Sequence, residues 1–196
     1  MNSNEIDIEA FLLSIKNIPV IDVRSPSEFI HGHVPSALNV PLFSDSERAR
    51  VGIIYKQSGV NDAVLEGLKY AGPKLVHICE QASQISRNQE IIVYCQRGGM
   101  RSGSVAWLLK TAGFKVFILK GGYKSYRKKV LDSFSNIFRF IIIGGKTGTG
   151  KTEFLKLLSE KGEQVLDIEE IAHHRGSVFG QIAGIEQDSN EYFENN

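Results

Sequence analysis

Four short runs rich in β-branched and aromatic residues, at 19–24 (PVIDVR), 90–95 (EIIVYC), 115–119 (KVFIL) and 139–143 (RFIII), alternate with stretches of helical periodicity. Continuous apolar runs of this length read as strands buried on both faces, so the pattern predicts an α/β fold built on a mainly parallel sheet with flanking helices. Between them, residues 62–86 carry Val64, Leu65, Leu68, Leu75, Val76, Ile78 and Cys79 at helical spacing, with Pro73 placed to kink or divide the stretch. Residues 101–111 (RSGSVAWLLKT) begin with small polar residues and stop before Gly113, as a helix after a strand and loop should.

The chain has 196 residues, enough for one large domain or one and a half ordinary ones, and its 42% hydrophobic and 23% charged residues exclude a disordered or fibrous chain. No apolar run approaches the roughly 18 to 20 residues of a bilayer crossing, and the opening MNSNEIDIEA is not a signal peptide, so no membrane association is expected. With only Cys79 and Cys95, a disulfide framework is not expected and a reducing cytoplasm is the default.

Charge divides the chain. Through Ser133 there are 17 Lys and Arg against 12 Asp and Glu, and from Phe134 onward 6 against 10. The sign change, with a new strand beginning near Arg139, predicts a first domain at 1–133 ending in a basic helix and an incomplete second domain at 138–196. In that helix Lys120, Lys124, Arg127, Lys128 and Lys129 are interleaved with Tyr123 and Tyr126. Such a pattern suits either a solvated face or contact with a phosphate backbone.

Residues 94–102 (YCQRGGMRS) lie between a strand and a helix N-terminus, where backbone N–H groups and the helix dipole favour an anion. Cys95 there is expected to hold a stabilised thiolate and act as a nucleophile or persulfide carrier, beside Arg97 and Arg101. Gln96, Arg97, Gly98, Gly99 and Met100 form the expected anion-binding loop, the glycines letting its amides converge. Cys79, at core-like spacing, reads as packing. The spacing Cys-x5-Arg matches the loop of cysteine phosphatases as well as a sulfur or selenium carrier, although Tyr94 stands where a phosphatase usually has histidine.

Residues 145–152 (GKTGTGKT) satisfy G-x-x-x-x-G-K-[ST] after an apolar strand and before a helical pattern at 153–161. Gly145, Lys146, Thr147, Gly148, Thr149 and Gly150 are expected to wrap a di- or triphosphate, with Lys151 on its terminal groups and Thr152 able to hold magnesium. Asp167 ends a short predicted strand at 164–167.

Upstream, residues 22–29 (DVRSPSEF) and 32–41 (GHVPSALNVP) resemble the paired signature segments of the rhodanese family over about residues 18–129. The resemblance implies a rhodanese-like sheet followed by the start of a P-loop NTPase-like domain, with Asp22 and Arg24 tying the first signature strand to the rim of the site. It also makes His31 and His33 loop residues, and no metal site is expected. Many single-domain rhodaneses have four residues between cysteine and arginine. The five here leave room for a larger anion such as phosphate or selenophosphate.

A rhodanese followed by a P-loop, together with residues 167–180 (DIEEIAHHRGSVFG), resembles the tRNA 2-selenouridine synthase family, whose chains are much longer. That resemblance implies S-geranylation of wobble 2-thiouridine in tRNA by geranyl diphosphate, then replacement of sulfur by selenium from selenophosphate. Cys95 would seat a selenium-bearing intermediate, with the loop amides and Arg101 holding phosphate, and Lys151 and Thr152 the diphosphate. Lys124, Arg127, Lys128, Lys129, His174 and Arg175 would contact tRNA. A selenophosphate-supplying enzyme and a missing C-terminal half or partner chain are the implied partners. Two further readings stay open: a sulfurtransferase using a Cys95 persulfide, and a non-catalytic phosphate-binding fragment.

Overall fold

A computed structural model describes residues 4–146, 148–172 and 189–196. The chain enters on β1 (Glu5–Ile6), and Asp7 caps α1 (Ile8–Ser14) by accepting the N–H of Ala10 at 2.8 Å. β2 (Val20–Asp22) leads to α2 (Pro26–His31), whose first turn is closed by the Ser25 N–H donating to Glu28 at 3.1 Å. After β3 (Leu38–Asn39) come α3 (Asp45–Gln57), α4 (Val60–Ala71) and α5 (Leu75–Ile85). Pro73 falls in a 3-10 turn, Gly72–Lys74, that divides the last two, as its missing N–H requires. Then follow β4 (Glu90–Tyr94), α6 (Met100–Thr111), β5 (Lys115–Leu119) and α7 (Gly122–Ser133).

The five strands pair in parallel in the order β1-β5-β4-β2-β3. Alternation along central β4 sends Ile91 and Val93 to one face, against Ile78 and Ala82 of α5 and Val105 and Leu109 of α6. Ile92 and Tyr94 point to the other, against Phe11 of α1 and Tyr123 and Tyr126 of α7. Each fully buried aliphatic of this strand contributes roughly 1.5–3 kcal/mol. Because the strands are parallel, the segments that follow β2, β4 and β5 emerge along one edge of the sheet, and that edge carries the chemistry.

Beyond α7 the described elements are α8 (Lys151–Glu160), α9 (Ile168–Ile171) and α10 (Asn190–Asn195). Two expectations fail here. Residues 139–143 form no strand, and Ile141 and Ile142 are 95% and 89% exposed. Residues 164–167 form none either, and Asp167 instead caps α9 by accepting the N–H groups of Glu169 and Glu170. A parallel strand exists through hydrogen bonds to its neighbours. Among the described residues after α7 there is no strand to supply them. The helix expected over 153–161 does form, as α8.

Candidate active site

Cys95 stands one residue past β4 and is 3% exposed. Its Sγ lies 3.2 Å from Ser102 Oγ, whose single proton has two acceptors in reach, the sulfur once it is ionised and Gly99 O at 3.1 Å. Burial works against the thiolate. The Ser102 hydroxyl and the backbone N–H groups of Arg97, Ser102 and Gly99 outweigh it, and hold the Cys95 thiol below its ordinary pKa. Cys79, partly buried against the core, has no such donors, and burial pushes its thiol up.

The loop owes its shape to α7. The N–H groups of Tyr123 and Lys124 donate to Cys95 O at 2.9 Å and Gln96 O at 3.1 Å. Anchoring the carbonyls on that side leaves the loop amides free to face the sulfur. The contact demands glycine at Gly122, which has φ +60° and where a Cβ would sit 2.2 Å from Cys95 O. Gly98, at φ +67°, would bring a Cβ to 2.9 Å from Leu119 O.

Arg24 and Asp22 form a buried ion pair at 2.6 Å, 2% and 0% exposed. Arg24 also donates to Gly32 O at 2.7 Å and Gln96 Oε1 at 3.2 Å, and its guanidinium lies 3.9 Å from the Tyr123 ring centre. One arginine thus joins the signature strand, the segment after α2 and the cysteine loop. Arg101, in the first turn of α6, donates to Glu28 Oε2 at 2.6 Å and Oε1 at 3.3 Å. Burial would raise the Glu28 pKa, but Arg101, the Ser25 N–H and Arg48 hold it at about 2. Neither the Glu28 partnership nor the Tyr123 platform is readable from the motifs; the Ser25-x-x-Glu28 capping pattern announces a helix start and nothing of Arg101.

In the P-loop segment, Gly148 and Gly150 adopt φ +80° and +79°. Lys151 Nζ folds back onto Gly145 O and Lys146 O, both at 3.0 Å. Thr149 Oγ1 donates to Lys146 O at 2.8 Å, and Thr152 is exposed in the first turn of α8. Thr147, His174 and Arg175 lie outside the described residues. No group of three or more His, Cys, Asp or Glu gathers at metal-binding distance among the described residues. His33 stacks between Phe29 and Tyr192, with ring centres 3.7 and 4.1 Å away, and His31 faces Glu191 at 3.6 Å.

The basic helix has two kinds of cation. Lys124 and Lys128 are exposed, whereas Arg127 is paired with Glu194 and approaches Glu191 at 3.9 Å, and Lys129 bonds Glu9 at 2.6 Å. Tyr123 and Tyr126, interleaved with them, are buried in the core rather than displayed.

Residues 9–129 match the rhodanese-like domain family, and residues 138–196 match the AAA domain of tRNA 2-selenouridine synthase. The tRNA 2-selenouridine synthase of Shewanella denitrificans is 42% identical over 168 residues, 83% of this chain and 45% of that protein. That of Bdellovibrio bacteriovorus is 41% identical over 187 residues, 92% and 48%. The chain thus spans about half the length of the curated relatives it matches. Among solved structures, the N-terminal domain of a protein from Clostridium difficile 630 described as ATP/GTP binding is 43% identical, with a TM-score of 0.59, covering 64% of this chain and 98% of that one.

Proposed function

Because the chain belongs to the rhodanese-like domain family and its relatives include tRNA 2-selenouridine synthases, we propose that it carries the chalcogen-handling site of that chemistry. The organisation we propose is a rhodanese-like domain at 1–133, ending in the basic helix, and the first part of a P-loop domain at 138–196. The observation that carries this reading is the placement of Cys95 at a strand end before a helix N-terminus, with Ser102 Oγ 3.2 Å from its sulfur and the carbonyls of Cys95 and Gln96 anchored on α7.

The Cys95 thiolate acts as the nucleophile on the phosphorus of selenophosphate: an S–P bond forms as the P–Se bond breaks, selenium leaves as selenide to displace the geranylthio group, and water later releases phosphate from Cys95. The amides of Gln96 through Met100 receive the oxyanion, and Arg101 joins them by exchanging Glu28 for phosphate. Alkylation of wobble 2-thiouridine by geranyl diphosphate turns sulfur into a better leaving group before selenium enters. The diphosphate of that donor suits the loop from Gly145 to Thr152. Lys151, which bonds the loop carbonyls of Gly145 and Lys146, would transfer its ammonium to the diphosphate. A single threonine hydroxyl fits a magnesium ion that arrives with phosphate oxygens and water rather than one held by protein alone. When bound with the substrate there, the metal would neutralise diphosphate charge.

The test is intact-mass spectrometry of the chain after exposure to selenophosphate. One phosphoryl group gained, without the isotope pattern of selenium, by the wild type and by Cys79→Ser, and none by Cys95→Ser, is the expected result. Uptake that persists in Cys95→Ser overturns the assignment. The plain sulfurtransferase reading draws on the same thiolate, and is separated by loading with thiosulfate and scoring transfer of sulfur to cyanide without tRNA.

A further inference from the structure

The end of the described chain returns to the rim of the cysteine site. α10 is acidic, with Glu191 and Glu194 one turn apart, and it seats between the segment after α2 and the basic helix α7. Tyr123 Oη donates to Glu191 Oε1 at 2.7 Å, and Tyr126 Oη to Asn195 O at 3.0 Å. Arg127 donates to Glu194 and to Asn195 Oδ1, and Asn195 Nδ2 reaches His33 O at 2.9 Å. Asn195 is 6% exposed, so this seat is a fitted one. Gly32 is shaped for it, since a Cβ there would lie 2.7 Å from Tyr123 Oη and 2.8 Å from Glu191 Cγ.

Beside the seat is an open cleft of about 320 Å³ where Lys124, Arg127 and Lys128 face the carboxylates of Asp132 and Glu191, with Gln96 and Tyr123 at its inner end. Lys124, Arg127 and Lys128 fall at i, i+3 and i+4 of α7, on one face. Two carboxylates spaced along a helix meet this face, both of them on Arg127, while Lys124 and Lys128 have no ion-pair partner among the described residues. The cleft also communicates with the nucleophile. Glu191 holds Tyr123, whose ring lies against Arg24, and Arg24 holds Gln96, the residue after Cys95.

We infer that α10 is a built-in phosphate mimic that holds Arg127 at the rim of the cleft in the RNA-free protein and yields it to the phosphodiester backbone of RNA. This rests on the reading that α7 contacts tRNA, and deepens it. The two carboxylates on Arg127 stand in for phosphate, and Lys124 and Lys128 on the same face make the incoming ligand a polyanion. Departure of α10 frees Arg127 to complete the set with Lys124 and Lys128, and frees Tyr123 Oη at the near end of the path to Gln96. RNA is thereby sensed at the loop that holds Cys95.

The experiment uses the full chain and a fluorescent anticodon stem-loop RNA, with amide hydrogen exchange of residues 189–196 followed in parallel. Glu191→Gln/Glu194→Gln is expected to bind about tenfold more tightly than Glu160→Gln/Glu163→Gln, which removes the same charge from an exposed stretch. In the wild type, RNA is expected to speed exchange in α10. RNA that binds, and weakens with Lys124→Gln/Lys128→Gln, while α10 exchange and the Glu191/Glu194 variant show no difference from the control, overturns the mimic and leaves the RNA-contact reading standing. RNA that binds neither the wild type nor the Glu191/Glu194 variant overturns both.

Discussion

Arg101 meets Glu28 end-on, with Nη1 2.6 Å from one carboxylate oxygen and Nη2 3.3 Å from the other. The arginine that the loop spacing offers to an incoming anion is therefore held by the first signature segment, and the two side chains are only 21% and 16% exposed. A forked pair of this kind is directional as well as charged. It fixes the first turn of α6 to the first turn of α2, and through them the mouth of the loop.

Glu28→Gln is expected to destabilise the chain by about 2 kcal/mol at neutral pH, read by chemical denaturation. The Glu28 pKa falls from 4.5 in the reference state to about 2 in the fold, so its contribution is fully present above about pH 5 and is lost as the pH falls towards 2. The difference between wild type and variant should shrink over that window. A difference that stays constant from pH 6 to about pH 2 would contradict this role.

Ser102→Ala removes the hydroxyl nearest Cys95 Sγ. The thiolate ultraviolet absorbance of Cys79→Ser should titrate below the ordinary thiol range, and that of Cys79→Ser/Ser102→Ala should move upward. The Cys79 thiol, followed in Cys95→Ser, should titrate above the ordinary value.

Gly122→Ala and Gly103→Ala should have opposite signs. At Gly122 the new methyl meets Cys95 O at 2.2 Å on a backbone with positive φ, and a loss of more than about 2 kcal/mol is expected. Gly103 lies within α6 with nothing within 4 Å of its Cβ position, so alanine there should stabilise by about 0.5–1 kcal/mol. Thermal melts of the two variants decide the matter, and equal shifts would contradict the geometry.

Arg24→Met leaves the Asp22 carboxylate buried without its partner, and a loss of about 3–5 kcal/mol is expected. Pairing it with Asp22→Asn should recover part of that loss, because no uncompensated charge then remains inside. A double variant no more stable than Arg24→Met alone would show that the ion pair acts mainly through Gln96 and Gly32.

What could be read from the sequence is what depends on local pattern. The run 115–119 is β5 residue for residue, Pro73 divides α4 from α5, and Cys95 falls at a strand end before a helix. What could not be read depends on distant partners. β1 and β3 are two residues long and exist through pairing with β5 and β2, too short to leave a period of their own. Residues 139–143 have the composition of a strand but no neighbour among the described residues. The basic pattern of α7 is visible, yet Tyr123 and Tyr126 face inward, and Arg127 meets the carboxylates of Glu191 and Glu194, more than 60 positions away. In the site, the glycines and Cys95 announce the loop, while Glu28 as the keeper of Arg101 emerges only once α2 and α6 are packed.

The pairing of Glu5 with Ile118 and of Ile6 with Leu119 joins the start of the chain to the last strand of the sheet. During synthesis β1 waits for β5 to leave the ribosome, so a strand made before the rest of the sheet is among the last to be placed. Closing so long a loop carries a large entropic penalty before any bond is gained. The nascent chain should therefore settle β2 and β4 first and zip outward, with the N-terminal strand acting as a final clasp.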